Sequence, residues 1–362
     1  MDYRMVVVLN VFIISFFGCS KNDENTSEAT QRNFNMGFTT WSYGPNPEDV
    51  AVTYEFIKNN ADIYTEHIDY HIPWDSWIND LPLPAEFTGE IAGRVQRKIE
   101  DKQLLLSVGL LNLDRDELTT DYNDIVPSYT GLNDVHIEDA YFKHVKYLVD
   151  QLKPDFLVIA IEVNELRLKE EGKWQEYTLL IKNVKLRIKQ LYPNLKVSES
   201  ISLHNLYNPT IINPNVYIDE MIDYMNQLDF VAISFYPFLK NQHSESEFQQ
   251  TFDFLHKKIN RPIAFVESGH IAEDLSVSSF DVFIPGNAKE QDTYLKTLFA
   301  NAREQDYEFV IWWAYRDFDA LWETFPDDRK DQGKLWRDAG LIDEEGKERE
   351  AFVTWKSVLS EK

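Results

Sequence analysis

Four residues of this chain have the types and placement for shared acid–base chemistry. The stretch "LVIAIEVNELR", residues Leu157 to Arg167, begins as the apolar run of a buried strand and then carries Glu162, Asn164 and Glu165. Glu267 closes a second such run in "PIAFVES". Carboxylates are rarely buried without a partner, because removing a charge from water is costly. Strands that end in them therefore ask for a reason. Two carboxyl groups facing each other across a cleft can cleave a glycosidic bond. One, protonated, gives a proton to the leaving oxygen, and the other, ionised, attacks the sugar carbon or activates water. Different surroundings set the two pKa values apart.

The elements that must position them are eight apolar β runs, each followed by a helical stretch. The runs are "FNMGFTT", "ADIYTEHI", "QLLLSVGLL", "DFLVIAIE", "LKVSESISL", "DFVAISFY", "PIAFVES" and "EFVIWWAY". The first helix opens on Pro47, as a helix start should. A later one keeps Ile137, Tyr141, Val145, Leu148 and Leu152 on one face. Strands this continuously apolar are covered on both sides, and eight β–helix repeats predict an α/β fold, a (β/α)8 barrel over residues 33–362. A doubly wound sheet would want a glycine-rich phosphate loop after its first strand, and "GFTTWSYGPNP" offers none. In a barrel the strand C-termini carry the active site, and the ends of strands four and seven lie opposite each other there. The long segments Asn112–Val135, Ser268–Gly286 and Asp317–Leu341 fall on the same face. So do seven of the nine Trp: Trp41, Trp74, Trp77, Trp312, Trp313, Trp322 and Trp336. Aromatic faces around one rim suit sugar rings, which are apolar on their faces and hydroxylated at their edges.

With the carboxylates at the ends of strands four and seven, the sequence resembles clan A of the glycoside hydrolases over nearly all of residues 33–362. These are (β/α)8 enzymes with an Asn-Glu at the end of strand four and a Glu at the end of strand seven. The resemblance implies Glu165 as general acid/base, Glu267 as nucleophile and retention of configuration, with Asn164 holding the 2-hydroxyl of the sugar. It implies that Tyr236 in "ISFYPF" orients the nucleophile. It also implies that Trp312 or Trp313 floors the cleavage subsite beside a cis peptide bond. Trp41 and His204 are further candidate substrate contacts. The "VESG" and "VNE" contexts resemble the endo-β-1,4-galactanase family (family 53). That family's Asp-containing first-strand motif is absent from "NMGFTTWSYG", and strand eight reads "WWAYRD" rather than Trp-Glu-Pro. The expected activity is an endo-β-glycanase acting on a β-linked glycan; the alternative is an inactive surface lipoprotein that captures glycan.

Strand parity complicates this assignment. In a regular strand Glu162 and Asn164 face one way, and Val163 and Glu165 the other. For Asn164 and Glu165 both to reach the cleft, the strand must stop or bulge. Glu162 is then a barrel-interior residue paired with a cation or hydroxyl, and the second choice for the acid. Glu199 in "VSESISL" is a weaker rival.

Other chemistry finds less support. His67 and His71 in "EHIDYH" could ligate a metal, but metal-dependent barrel hydrolases carry His-x-His on the first strand and "FNMGFTT" has none. They read as cleft wall or substrate contacts, as do His204 and His270, and no catalytic metal or cofactor is expected. No Ser-His-Asp elbow or nucleophilic Cys is visible. A net charge of −25 argues against nucleic acid as partner, and a monomer is expected.

The N-terminus reads "MDYRMVVVLNVFIISFFGCS". Val6 to Phe17 is a mostly apolar stretch of 12, too short to span a bilayer comfortably. Gly18-Cys19 after it resembles a bacterial lipobox, which implies a signal peptide over residues 1–18 and lipidation of Cys19. Residues 19–32 are polar and read as a tether. The "KNDE" after Cys19 resembles the surface-export signals of Bacteroidota lipoproteins. The expected location is the outer membrane of a Gram-negative bacterium, facing outward, with membrane contact through the lipid alone.

Overall fold

The computed structural model describes residues 32–361. The apolar stretch 6–17 and Cys19, read above as a lipid-anchor signal, lie outside them. Among the described residues no helix is long and apolar enough to cross a membrane.

Nine parallel strands form one ring-like sheet. They are β1 (Asn35–Thr39), β2 (Ile63–Ile68), β3 (Gln103–Val108), β4 (Phe156–Val158), β5 (Lys196–Ser198), β6 (Ser200–Ser202), β7 (Val231–Phe235), β8 (Ile263–Ser268) and β11 (Phe309–Trp312). β5 and β6 are two halves of one barrel strand, parted at Glu199, so the ring has eight strand positions. β5 pairs with β4 and β6 with β7. Backbone bonds from Ser200 N to Ala160 O (3.0 Å) and Val163 N to Ser200 O (3.0 Å) bridge the break. The remaining strands, β9 (Leu275–Val277) and β10 (Val282–Ile284), form a separate antiparallel hairpin.

Each barrel strand feeds a covering helix: Pro47–Asn60, Ala85–Gln96, Val135–Leu152, Glu171–Leu191, Pro214–Met225, Glu245–Lys258, Ala288–Glu304 and Glu350–Leu359. Local chemistry fixes several starts. Asp49 accepts from Asn46 N at 3.0 Å and Glu247 from Ser244 N at 2.9 Å, each satisfying an otherwise orphaned donor. The barrel interior is filled by Ile63, Leu105, Phe156, Val158, Ile161, Phe230, Ala264, Val266, Phe309 and Ile311. The outward faces of the strands pack against the helices in a larger cluster that holds Phe38, Leu104, Leu106, Ile233, Phe265 and Trp312. Each such buried side chain contributes roughly 1.5–3 kcal/mol by leaving water.

The strand and helix sequence expected from the chain is present. What the apolar pattern did not disclose are short elements at the mouth. Helix Asn164–Lys169 begins six residues after the end of β4, and helix Leu203–Tyr207 follows β6 directly. The segment after β8 folds into the β9–β10 hairpin, and the segment after β11 into helices Asp319–Trp322 and Asp327–Arg337. All of these but the 11-residue helix Asp327–Arg337 span three to six residues, too little sequence for a period to show.

Candidate active site

Glu267 lies on β8 opposite Ser234 of β7. Its neighbour Ser268 turns outward to Tyr294, at 2.5 Å. Just past β7, Tyr236 donates its hydroxyl to Glu267 Oε1 at 2.6 Å. His67 Nδ1, from β2, stands 3.7 Å from Oε2. Both carboxylate oxygens thus have a partner that fixes them.

From there an unbroken chain of charge crosses the mouth. His67 Nε2 is 3.6 Å from Asp69 Oδ2. Arg115 donates to both oxygens of Asp69, at 3.1 and 2.6 Å. Its Nε reaches Glu162 Oε2 at 3.4 Å, and the Ser234 hydroxyl donates to Glu162 Oε1 at 2.8 Å. Gly109, at the end of β3, makes room for this network. A Cβ there would stand 2.0 Å from Asp69 Oδ1.

The network sets the protonation states. Burial alone would raise Asp69, but Arg115 and His67 outweigh it and hold the carboxyl well below its ordinary value. Burial opposes a charge on His67, yet Asp69 and Glu267 prevail and raise its pKa. For Glu267, burial is the largest influence. With the charge of Glu162 it pushes the carboxyl up to about 7, against the pull of His67, Tyr236 and Arg115. Tyr236 is raised well above its ordinary value by burial and by Glu267, so it remains a hydrogen-bond donor.

At the end of β4 the backbone leaves strand geometry. Glu162 adopts φ +51°, in the left-handed region that side-chain-bearing residues seldom enter. Its N–H donates to Ser200 Oγ at 2.8 Å. Arg115 has φ +57°, so both members of the ion pair sit in strained backbone, as residues at functional sites often do. After Glu162 the chain turns into helix Asn164–Lys169, which carries Asn164 away from this network. Asn164 accepts from Ser202 N at 2.8 Å and donates to Ser202 O (3.1 Å) and Tyr217 OH (2.9 Å). Asn164 is fully buried, with both amide hydrogens and one lone pair of Oδ1 engaged inside the protein. Glu165 is also buried, its Oε1 accepting from Asn205 at 2.6 Å and its Oε2 3.8 Å from Lys169. Burial first, and then the charge of Glu162, raise its pKa. Glu199 points away from the barrel axis, toward the hydroxyls of Tyr177 and Tyr224 at 2.5 and 2.6 Å.

The tryptophans divide. Trp312 is fully buried, bonded to Ala339 O at 2.9 Å, and packs outward on Tyr294. Trp313 packs on Trp41 (5.0 Å between ring centroids) and His67 (5.4 Å), and its bond to Ala314 is cis. Trp336 stands 6.0 Å from Tyr236. The indole N–H groups of Trp41, Trp313 and Trp336 have no partner in the protein, so an arriving acceptor could satisfy them. Trp74 and Trp77 instead pack against the outer helix Val135–Leu152. His204 is buried, bonded to Ser202 Oγ at 3.2 Å through Nε2, and burial pushes its pKa down to about 4. His71 contacts Thr120 at 3.0 Å, away from the carboxylates.

The structure therefore brings Glu267, Tyr236, Trp313 and Trp41 together, and adds Glu162, Asp69, Arg115, His67 and Ser234. Asp69 stands between the two histidines of "EHIDYH". Arg115 is the single cation of "DRDE" in a loop with no period to draw attention to it.

A barrel with opposed carboxylates and an aromatic wall at the strand C-termini is the architecture of clan A glycoside hydrolases. The model of glycosyl hydrolase family 53 matches residues 141–353, and the chain belongs to that family. No curated protein sequence matches it significantly. Solved structures share the fold at low identity. The GH53 catalytic domain of Ignisphaera aggregans aligns with TM-score 0.59 and 14% identity over 90% of this chain and 96% of its own. A GH5_18 protein of Bifidobacterium longum subsp. longum in complex with Manβ1-4GlcNAc gives 0.63 and 14% over 90% and 78%. The exo-β-1,4-mannosidase Op5Man5 of Opitutaceae bacterium strain TAV5 gives 0.62 and 14% over 92% and 60%.

Proposed function

We propose that this glycoside hydrolase cleaves a β-linked glycan with retention, using Glu267 as nucleophile and Glu162, rather than Glu165, as general acid/base. The observation that carries the reading is the single ion network that joins Glu267 to Glu162 through His67, Asp69 and Arg115. Tyr236 and His67 hold the two oxygens of Glu267, so one can attack in a fixed direction. The charge of Glu162 is one of the influences that raise Glu267, so a proton on Glu162 favours the ionised nucleophile, and one carboxyl can donate while the other attacks. The proton leaves Glu162 for the glycosidic oxygen as Glu267 bonds to the anomeric carbon; Glu162 then takes a proton from the water that releases the sugar.

Glu165 fits less well because Asn205 and Lys169 face it and its paired Asn164 is bound to Ser202 and Tyr217. With Glu162 as acid, the residue before it is Ile161, a barrel-interior side chain, so the Asn-Glu pairing of the clan is not reproduced at that register. Trp41, Trp313 and Trp336 form the wall for the sugar faces. The names of two structural neighbours refer to β-1,4-mannosyl units, and family 53 resembles galactanases; both favour a β-linked polymer. Endo action and lipid anchoring at the outer membrane through Cys19 complete the reading.

Digesting a panel of β-glycans and following the first product by NMR tests it. The β-anomer should form first and mutarotate later. An α-anomer formed first would establish inversion. Tight glycan binding without any new reducing ends would make the protein a capture module.

A further inference from the structure

Beside the mouth, three potential ligands converge that the chemistry above does not use. His243 follows the turn after β7, His270 lies two residues past β8, and Glu290 stands in the first turn of helix Ala288–Glu304. One donor atom from each lies within 4.8 Å of the others. Glu290 Oε1 is 2.5 Å from His243 Nδ1 and 3.6 Å from His270 Nε2. The other oxygen of Glu290 is anchored by Asn287 Nδ2 at 3.1 Å.

His270 is the informative member. Its ring is fully buried in a collar of Phe238, Phe248 and Tyr294, at 5.7, 5.6 and 5.8 Å. Nδ1 stands 3.0 Å from Ile271 O, and only a donor suits that carbonyl, so Nδ1 carries the hydrogen. Nε2 then presents a lone pair, has no hydrogen-bond partner, and faces a carboxylate oxygen. Two lone pairs facing at that range repel. A cation between the groups satisfies all three at once.

We propose that His243, His270 and Glu290 bind one divalent transition-metal ion of the zinc type. Two imidazole nitrogens and one carboxylate oxygen are a fitting donor set, with water as the fourth ligand from the half-exposed side of His243. The bond from His270 Nδ1–H to a backbone carbonyl is the outer contact that fixes a ligating imidazole, and the aromatic collar supplies the apolar shell. Ligand bonds of about 2.0–2.1 Å need the three atoms to move by no more than about 1 Å. On binding, His243 releases its Nδ1 hydrogen and carries its ring proton on Nε2. The ion takes no part in bond cleavage. It clamps the loop after β7, which follows Tyr236, to the helix after β8, which follows Glu267. The proposal stands apart from the catalytic assignment.

Tag-free full-length protein, stripped with a chelator and titrated with Co2+ and then Zn2+, tests it. One equivalent of Co2+ should bind with the visible absorption of a four-coordinate ion, and Zn2+ should displace it. Zn2+ at a hundredfold excess over its Kd should raise the melting temperature by roughly 5 °C. His243→Ala should abolish both effects, and the exposed His136→Ala should change neither. Circular dichroism checks that the variant folds, with His243→Gln as substitute if it does not. No stoichiometric uptake by the wild-type protein, or equal uptake by folded His243 variants, would overturn the proposal.

Discussion

The ends of β8 and β4 deliver carboxylates to the same mouth by different routes. β8 stays a strand through Ser268 but bulges at Val266, so Val266 and Glu267 both face inward and Ser268 turns outward. The β4 ladder stops at Val158, and the next four residues hold to the ring by scattered bonds before Glu162 turns into the left-handed region. One carboxylate is placed by a bulge inside a continuous strand, the other by a strained turn that Arg115, Ser200 and Ser234 hold in place. The first should therefore tolerate loss of its neighbours better than the second.

The largest effect should come from Glu267→Ala. With no other group to form the glycosyl-enzyme, kcat should fall on the order of 10^4-fold or more on every substrate, including those with good leaving groups. Residual activity within a hundredfold of wild type would place the nucleophile elsewhere. Next, Glu162→Gln should lose about 10^2–10^4-fold on a natural glycan, the range for one acid–base group. Glu165→Gln should lose less than about tenfold. Equal losses, or the reverse order, would return the acid to the helix.

Arg115→Ala sharpens the contrast between the two strand ends. It leaves Asp69 and Glu162 buried without their cation, which costs about 3–5 kcal/mol. Denaturant titration should show that loss. If Arg115→Ala unfolds no more easily than wild type, the network does not hold the turn.

The smallest effects concern proton linkage at Glu267. A nucleophile must be ionised, so kcat/KM should rise with pH through about 7. Tyr236→Phe removes a donor to the ionised form and should move that limb to higher pH. Stability runs the opposite way. The folded pKa lies above the unfolded one, so the group favours folding fully below about pH 4.3 and loses that contribution as pH rises through about 7. Glu267→Gln should thus gain about 1–3 kcal/mol over wild type at pH 8, and the gain should vanish near pH 4. A variant no more stable at pH 8 would show that Glu267 is not destabilised by its site.

The barrel is legible in the chain where apolar runs are long enough to show a period, and Glu267 and Tyr236 are legible because each closes such a run. The break at β4 that the sequence asks for has a definite form, and Glu162 has the cation and hydroxyl partners expected of it. The inward set passes from Phe156 and Val158 to Ile161, a slip of one residue, and Glu162 then leaves strand geometry altogether. Nothing in "IAIEVNE" marks a left-handed residue, since it contains no Gly or Asn at that position. Trp312 and Trp313 were inseparable by type; alternation at the end of β11 sends one to the core and the other to the mouth. Arg115 and Asp69 come from a loop and a strand end far apart in sequence, and only the folded ring brings them together.

The assignment of the acid rests most directly on azide rescue of two variants, Glu162→Ala and Glu165→Ala, on an aryl β-glycoside with a good leaving group. Such a substrate needs little proton donation, so the first step survives while the second lacks its base. Azide needs no base. It should accelerate Glu162→Ala with formation of a β-glycosyl azide and leave Glu165→Ala unchanged. Rescue of Glu165→Ala with the β-azide, and none of Glu162→Ala, would contradict the account.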